Sequence, residues 1–380
     1  MNIPGKPTKI DPEAIKSVLK KRPDLTDLKV PTSQELEILE VLGKGNFGQV
    51  FKARVKPPNV PQPLICAIKV VFLKESELRE ILLEVDILKM CAHPNITGYV
   101  CLFRKELDLW IAMEICDAGG MDHLYHIYPK PLDEMLVASI IYESLKGLDY
   151  LHSLFLIHRD IKAGNILLNT QGAIKLADFG VSAKCSTSHV AKSFIGTPYW
   201  MAPEVILSED DHNNRYGPKC DVWSIGITAM ELLDKSPPFA DIHPFTALKM
   251  IKLNEQPILL QKKRSRQCQD FINYCITRDV KRRPSALEAL EHPFMLQCKQ
   301  QDRGAIVREM LKAVGKTTSV PTKKEDSDDE IELPEQPPAD KVLFTNLEGP
   351  QACPYHASSQ TRRSSKYQNI FCRSRMCHVC

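Results

Sequence analysis

The eight residues from His158 to Asn165, HRDIKAGN, set an aspartate, a lysine and an asparagine between the apolar stretches LFLI and ILL. Polar groups in an apolar frame cost free energy unless they bind something, and such a frame holds them rigidly rather than on a mobile loop. Farther on, KLADFGVSAK puts Asp178 at the end of another apolar run. An amide and a carboxylate from separate segments, Asn165 and Asp178, suit magnesium, which takes few protein oxygens and completes its shell with phosphates. Lys69, inside the apolar strand-like CAIKV, is a third anomaly. A buried ammonium requires a partner, and Glu84 in the helical pattern that follows is the candidate.

Phosphates also need backbone that can approach closely, and GKGNFG supplies Gly43, Gly45 and Gly48. The pattern alone also marks dinucleotide sites and plain flexible hairpin turns. A dinucleotide site needs its glycines between a strand and a helix, whereas strand-like sequence follows here, so the glycines would form a lid over phosphates.

The elements that must position these groups are legible as patterns. QELEILEVLGKGNFGQVFKARV alternates on both sides of the glycines, as a β-hairpin does; PPNVPQP forces a loop, and LICAIKVVF returns as a buried strand. Leu78, Ile81, Leu82, Val85 and Leu88 recur at helical spacing. LDLWIAMEI reads as a strand, Gly119 and Gly120 mark a boundary, and from there to about residue 297 the pattern is mostly helical, including EMLVASIIYESLKGLDYLH and CDVWSIGITAMELLDK. The outline is a small β-rich lobe followed by a larger helical one. Residues 1–34 form an extension with a short helical signal opened by Asp11 and Pro12. Residues 298–380 are expected to be largely disordered, acidic and proline-bearing first, then basic and cysteine-rich.

Composition narrows the function. The 380 residues are 43% apolar and 26% charged with a net charge of +3, too near neutral to imply a nucleic-acid partner. No apolar run approaches a membrane span and the start resembles no secretion signal, so a cytoplasmic protein without integral membrane association is expected. Nine of the thirteen cysteines are scattered singly up to residue 298, as buried reduced thiols would be. Cys353, His356, Cys372, Cys377, His378 and Cys380 are zinc-ligand residue types at irregular spacings, a pattern that leaves metal binding and modification both open.

Glycine loop, strand lysine, helix glutamate, HRDIKAGN, DFG and APE, in that order, resemble the eukaryotic protein kinases over roughly residues 35–297. The resemblance implies an α+β, bilobal protein kinase fold: a small β-rich N-lobe with one regulatory helix (35–113), a hinge (114–118) and a larger helical C-lobe (119–297). It implies ATP and Mg2+ as cofactors, with Mn2+ as an alternative metal. Leu42, Gly43, Lys44, Gly45, Gly48, Val50, Ala67, Lys69, Glu84, Glu114 and Cys116 would bind the nucleotide, and Asn165 and Asp178 the metal. Asp160 would orient the substrate hydroxyl and accept its proton, with Lys162 and Lys69 on the phosphates. His158 would pack behind Phe179, Met113 would be the gatekeeper, Asp221 would anchor the catalytic loop and Glu204 would pair with Arg283.

Lys162 within HRDIKAGN is the serine/threonine pattern, and VSAK, KSFIGTPYWMAPEVI and SPPFADIHP resemble the germinal-centre group of sterile-twenty-like kinases. The KPPNVPQP insertion and the glycine of KAGN depart from that group without touching a catalytic position. Arg159 before the catalytic aspartate implies an activation segment ordered by phosphate, with Ser193 as the modified residue and Thr197 bonding Asp160 and Lys162. Expected partners are protein substrates and an upstream or self-phosphorylating kinase, the latter acting in a transient homodimer. The competing reading is an inactive pseudokinase scaffold; the presence of Lys69, Asp160 and Asp178 speaks against it.

Overall fold

The computed structural model describes residues 35–45, 48–56, 62–73, 78–105, 108–179, 183–184, 196–208, 216–253, 257–259 and 263–316. In the N-lobe, β1 (Leu36–Gly45), β2 (Gly48–Val55) and β3 (Leu64–Phe72) precede helix α1 (Leu78–Met90), which is followed by β4 (Tyr99–Lys105) and β5 (Asp108–Glu114). The strands form one antiparallel sheet in the order β1-β2-β3-β5-β4. The glycines close the hairpin, with Gly45 opposite Gly48 and Gly43 opposite Val50. In β3 the register sets Lys69 opposite Val50 on one side and Ile111 on the other, so the lysine stands in the middle of the sheet.

One face of this sheet packs a small core of its own, with Ala53, Val55, Ile68, Phe103, Trp110 and Ala112 buried together. On α1 the buried positions Leu78, Ile81, Glu84, Val85 and Leu88 repeat at three- and four-residue intervals, one stripe of a helix. Glu84 lies on that stripe, a carboxylate delivered into an apolar seam.

The C-lobe contains β6 (Gly119–Gly120), α2 (Met121–Ile127), α3 (Glu134–Ser153), β7 (Leu156–Ile157), β8 (Ile166–Leu168), β9 (Ile174–Leu176) and β10 (Ala183–Lys184). It continues with α4 (Pro203–Leu207), α5 (Lys219–Asp234), α6 (Pro244–Lys252), α7 (Arg266–Cys275), α8 (Ala286–Leu290), α9 (Pro293–Lys299) and α10 (Arg303–Ala313). Asp133 caps α3 by accepting from Leu136 N at 2.8 Å, and this long helix runs through the lobe. Every residue of α5 from Cys220 to Leu233 is buried, the behaviour of a central helix enclosed on all sides. Its carboxylates Asp221 and Glu231 are therefore forced to find donors inside the protein.

Glu204 and Arg283 meet as the sequence reading expected. The Arg283 guanidinium, fully buried, gives Nη1 and Nη2 to the two Glu204 oxygens at 2.5 and 2.9 Å and lies 5.2 Å from the Trp223 ring. The bidentate geometry satisfies both charges at once, which is what permits burial.

One boundary differs from expectation. The chain does not lose order at residue 298: α10 folds onto the C-lobe and buries Val307, Met310 and Leu311. These three sit at helical spacing and Asp302 caps the helix through Ala305 N at 2.9 Å, so a short amphipathic helix has enough apolar surface to dock. The helical signal at residues 11–19, the C-terminal Cys/His group and the tail beyond 316 lie outside the described residues. Among the described residues all eight cysteines are free and seven are buried.

Candidate active site

Between the lobes lies a cleft of about 530 Å³ whose walls include Leu42, Gly43, Val50, Ala67, Met113 and Cys116 on one side and Asn165, Leu167 and Asp178 on the other. Lys69 projects into it from β3. Its Nζ stands 2.7 Å from Glu84 Oε1 and 3.4 Å from Asp178 Oδ1. Burial works to lower the lysine pKa, but the neighbouring Glu84 and Asp178 charges and their hydrogen bonds outweigh it and hold the ammonium above its ordinary value. The second Glu84 oxygen has no hydrogen-bond partner among the described residues.

The opening motif folds into a compact network. Asp160 Oδ2 accepts from Lys162 Nζ at 2.8 Å and Asn165 Nδ2 at 2.9 Å, and Oδ1 accepts from Thr197 Oγ1 at 2.5 Å. Lys162 Nζ also donates to Thr197 Oγ1 at 2.8 Å. Burial pushes the Asp160 carboxyl up, yet the Lys162 charge and the Lys162 and Thr197 hydrogen bonds prevail and hold it below the usual value. Asp160 is ionised at neutral pH.

The catalytic loop is pinned from below. Asp221 Oδ2 accepts from His158 N and faces His152 Nε2, both at 2.9 Å, and Oδ1 accepts from Arg159 N at 2.8 Å. Arg159 and Asp178 adopt φ of 69° and 64°, the left-handed region that non-glycine residues enter at a cost. The Asp221 clamp supplies the restraint for the first. His158 is fully buried, its ring 5.3 Å from Phe179 and its Nε2 3.1 Å from Ala177 O, so it packs the segment that carries Asp178.

The donor set fits a nucleotide with a divalent cation. Both amide hydrogens of Asn165 are spent on Asp160, on its carbonyl at 2.7 Å and its carboxylate, so Oδ1 is what this residue can offer a cation. A Cβ built on Gly43 would meet nothing within 4 Å, so the glycine wall has open space over it. At the hinge, Glu114 N is taken by Gly98 O at 2.7 Å and Cys116 O by Gly119 N at 3.0 Å. Glu114 and Cys116, whose backbone the sequence reading expects to bond adenine, line the cleft here.

A protein kinase domain matches residues 36–295. The chain belongs to the protein kinase family. This kinase is 42% identical over 281 residues to serine/threonine-protein kinase 1 of Arabidopsis thaliana, a match covering 73% of this chain and 32% of that protein. It is 45% identical over 261 residues to serine/threonine-protein kinase dst1 of Dictyostelium discoideum, covering 68% and 34%. Against human mitogen-activated protein kinase kinase kinase kinase 3 the figures are 43% over 269 residues, 70% and 29%. The match thus spans about a third of the length of these curated relatives. The resemblance to sterile-twenty-like kinases of the germinal-centre group is borne out by this company.

Of the residues singled out from the sequence, the kinase brings Lys69, Glu84, Asp160, Lys162, Asn165, Asp178 and Thr197 together, with Leu42, Gly43, Val50, Ala67, Glu114 and Cys116 lining the cleft. Gly45 and Gly48 face each other across the hairpin. Arg159 stands outside the cleft, its Nη1 3.4 Å from the Tyr216 hydroxyl. The Lys44 side chain and Ser193 lie outside the described residues.

Sequence reasoning missed Lys175 and Glu231. Lys175 holds the Glu114 carboxylate at 2.7 Å and so ties the hinge to β9. Glu231 accepts from Ala163 N at 3.0 Å, Trp200 Nε1 at 2.9 Å and Tyr125 OH at 3.3 Å, joining the catalytic loop to the turn after Thr197 and to α2. A lone glutamate in the apolar run TAMELL was the available signal.

Proposed function

We propose that the chain is an ATP-dependent protein serine/threonine kinase of the sterile-twenty-like type, transferring the γ-phosphate of ATP to serine or threonine hydroxyls of protein substrates in a cytoplasmic signalling cascade. The observation that carries this reading is the Asp160–Lys162–Thr197 network beside the Lys69–Glu84 pair and Asp178.

Ionised Asp160 orients the acceptor hydroxyl and takes its proton as the oxygen attacks the γ-phosphorus and the bond to the bridging β-phosphate oxygen breaks, releasing ADP. Lys162, two residues away, meets the charge building on the transferring phosphoryl group. Lys69, fixed by Glu84, holds the α- and β-phosphates. Asn165 and Asp178 would hold magnesium, which when bound neutralises phosphate charge. Positioning and electrostatics supply most of the rate in such loose, charged transition states, so few side chains suffice. Leu42, Val50, Ala67 and the hinge amide of Cys116 enclose the base. Phosphorylation of Ser193, by an upstream kinase or a second copy in a transient dimer, would pair with Arg159 and order the segment that carries Thr197. No helix among the described residues is long and apolar enough to cross a membrane.

The deciding experiment incubates the full chain with ATP and magnesium, beside Asp160→Asn, with a generic basic protein as acceptor, and maps phosphate by mass spectrometry. Phosphoserine and phosphothreonine in the wild type alone support the proposal. ATP binding without transfer by either protein, even after treatment with an upstream kinase, points to a scaffold.

A further inference from the structure

The matched domain ends at residue 295, but the fold continues through α10, and the first residue of that helix reaches back into the lobe. Arg303 Nε lies 2.6 Å from Glu143 Oε1 on α3, and its guanidinium sits 4.6 Å from the centre of the Tyr142 ring. The other Glu143 oxygen accepts from Asn95 Nδ2 at 2.8 Å and Lys146 Nζ at 3.0 Å. Burial pushes the Glu143 carboxyl up, and the hydrogen bonds from Arg303, Lys146 and Asn95 overcome it, so the group is held as a carboxylate.

Asn95 is 5% exposed and belongs to the link between α1 and β4. Its Nδ2 also donates to Ile174 O at 3.1 Å, its carbonyl accepts Leu176 N at 2.9 Å, and Leu176 O accepts Thr97 N at 3.0 Å. The link therefore grips β9 at both ends. Gly147 explains how α3 comes this close: a Cβ there would stand 2.7 Å from Asn95 O. At the far end of the β8–β9 hairpin, Arg308 Nη1 donates to Gln171 O at 3.0 Å. Gly172, at φ +84°, approaches so near that a Cβ would be 2.5 Å from Gly304 O. Two residues beyond Leu176 stands Asp178.

We infer that Arg303 is a positioning residue, which through Glu143 and Asn95 fixes β9 and thereby sets Asp178 in the cleft. Its effect on metal binding rests on the reading of Asp178 given under Proposed function. The coupling runs through a contiguous set of charge-assisted and buried hydrogen bonds, each with a named donor and acceptor.

The test compares amide hydrogen exchange in the nucleotide-free full chain for wild type, Arg303→Ala and Arg303→Lys, alongside equilibrium binding of ATP with and without magnesium. Loss of a hydrogen bond between charged groups should speed exchange at Leu176 and Thr97 about tenfold in Arg303→Ala. Arg303→Lys, which keeps a charge for Glu143, should fall between. Binding of ATP with magnesium should weaken several-fold, about in step with the exchange, while metal-free binding stays as in wild type. Unchanged exchange at Leu176 and Thr97, with faster exchange confined to 303–313, overturns the proposal and makes α10 a cover only. If Arg303→Ala does not fold, Arg303→Lys decides: wild-type exchange at Leu176 and Thr97, with a lower melting temperature, overturns the proposal. Absence of phosphate transfer by wild type would strike the functional reading and leave the exchange comparison standing.

Discussion

Thr197 gives its hydroxyl hydrogen to Asp160 Oδ1 at 2.5 Å while Lys162 donates to the same threonine oxygen at 2.8 Å. One short side chain thus holds Asp160, the proposed base, and Lys162, the proposed phosphate partner, to the segment that would receive a peptide. Thr197→Val is isosteric and removes both bonds. It should lower kcat by about tenfold or more, with little change in the KM for ATP, since the bonds align groups for the transfer step. Equal kcat in steady-state assays would show the threonine to be a bystander.

Asp160→Asn keeps the shape of the network and removes the proposed base. The expected loss in kcat is on the order of 10²- to 10⁴-fold with ATP binding retained, as measured by titration of nucleotide against both proteins.

Lys69→Met leaves Glu84, 2% exposed, without its ammonium. Breaking a buried pair from one side should cost about 3–5 kcal/mol, and adding Glu84→Gln should restore part of it because the stranded charge is gone. Urea midpoints of the single and double variants test this, and identical midpoints would mean the carboxylate was never stranded.

Glu231 gives the protein a pH signature. Burial raises its carboxyl to about 7 from an ordinary 4.5, against the hydrogen bonds of Ala163, Trp200 and Tyr125, and the Asp122 charge adds to the rise. The folded state then binds the proton more tightly than the unfolded chain. The linked stability is full below about 4.5, declines as pH rises and is gone above about 7, on the order of 3 kcal/mol in all. Glu231→Gln removes this slope. The difference in unfolding free energy between the two proteins should therefore change across that window, and a constant difference would refute the assignment.

Ser193→Ala tests the proposed switch. After equal preincubation with ATP the variant should remain less active than wild type, by at least tenfold if phosphate pairing with Arg159 orders the segment. Full activity would move the switch elsewhere.

Lys69, Asp160, Asn165 and Asp178 were legible because each is a polar residue inside an apolar run, and their order along the chain carried the family resemblance. The hairpin and α1 were legible from periods of two and of about 3.6 residues. Glu231 was not, since its partners lie 31, 68 and 106 residues away and only the fold brings them together. Lys175 was hidden in the same way, its partner Glu114 standing 61 residues earlier. The α10 helix escaped because three buried apolar residues in eleven are a weak stripe, and the polar tail that follows dilutes any composition window drawn across it.

The cysteine at the hinge has a chemical corollary. Burial, aided by the Glu114 charge, raises the Cys116 thiol to about 12, although the residue lines the nucleotide cleft. A thiol raised this far stays protonated at neutral pH, and the thiolate is the nucleophile. The burial that lets Cys116 line the cleft thus works against covalent capture by electrophiles entering it.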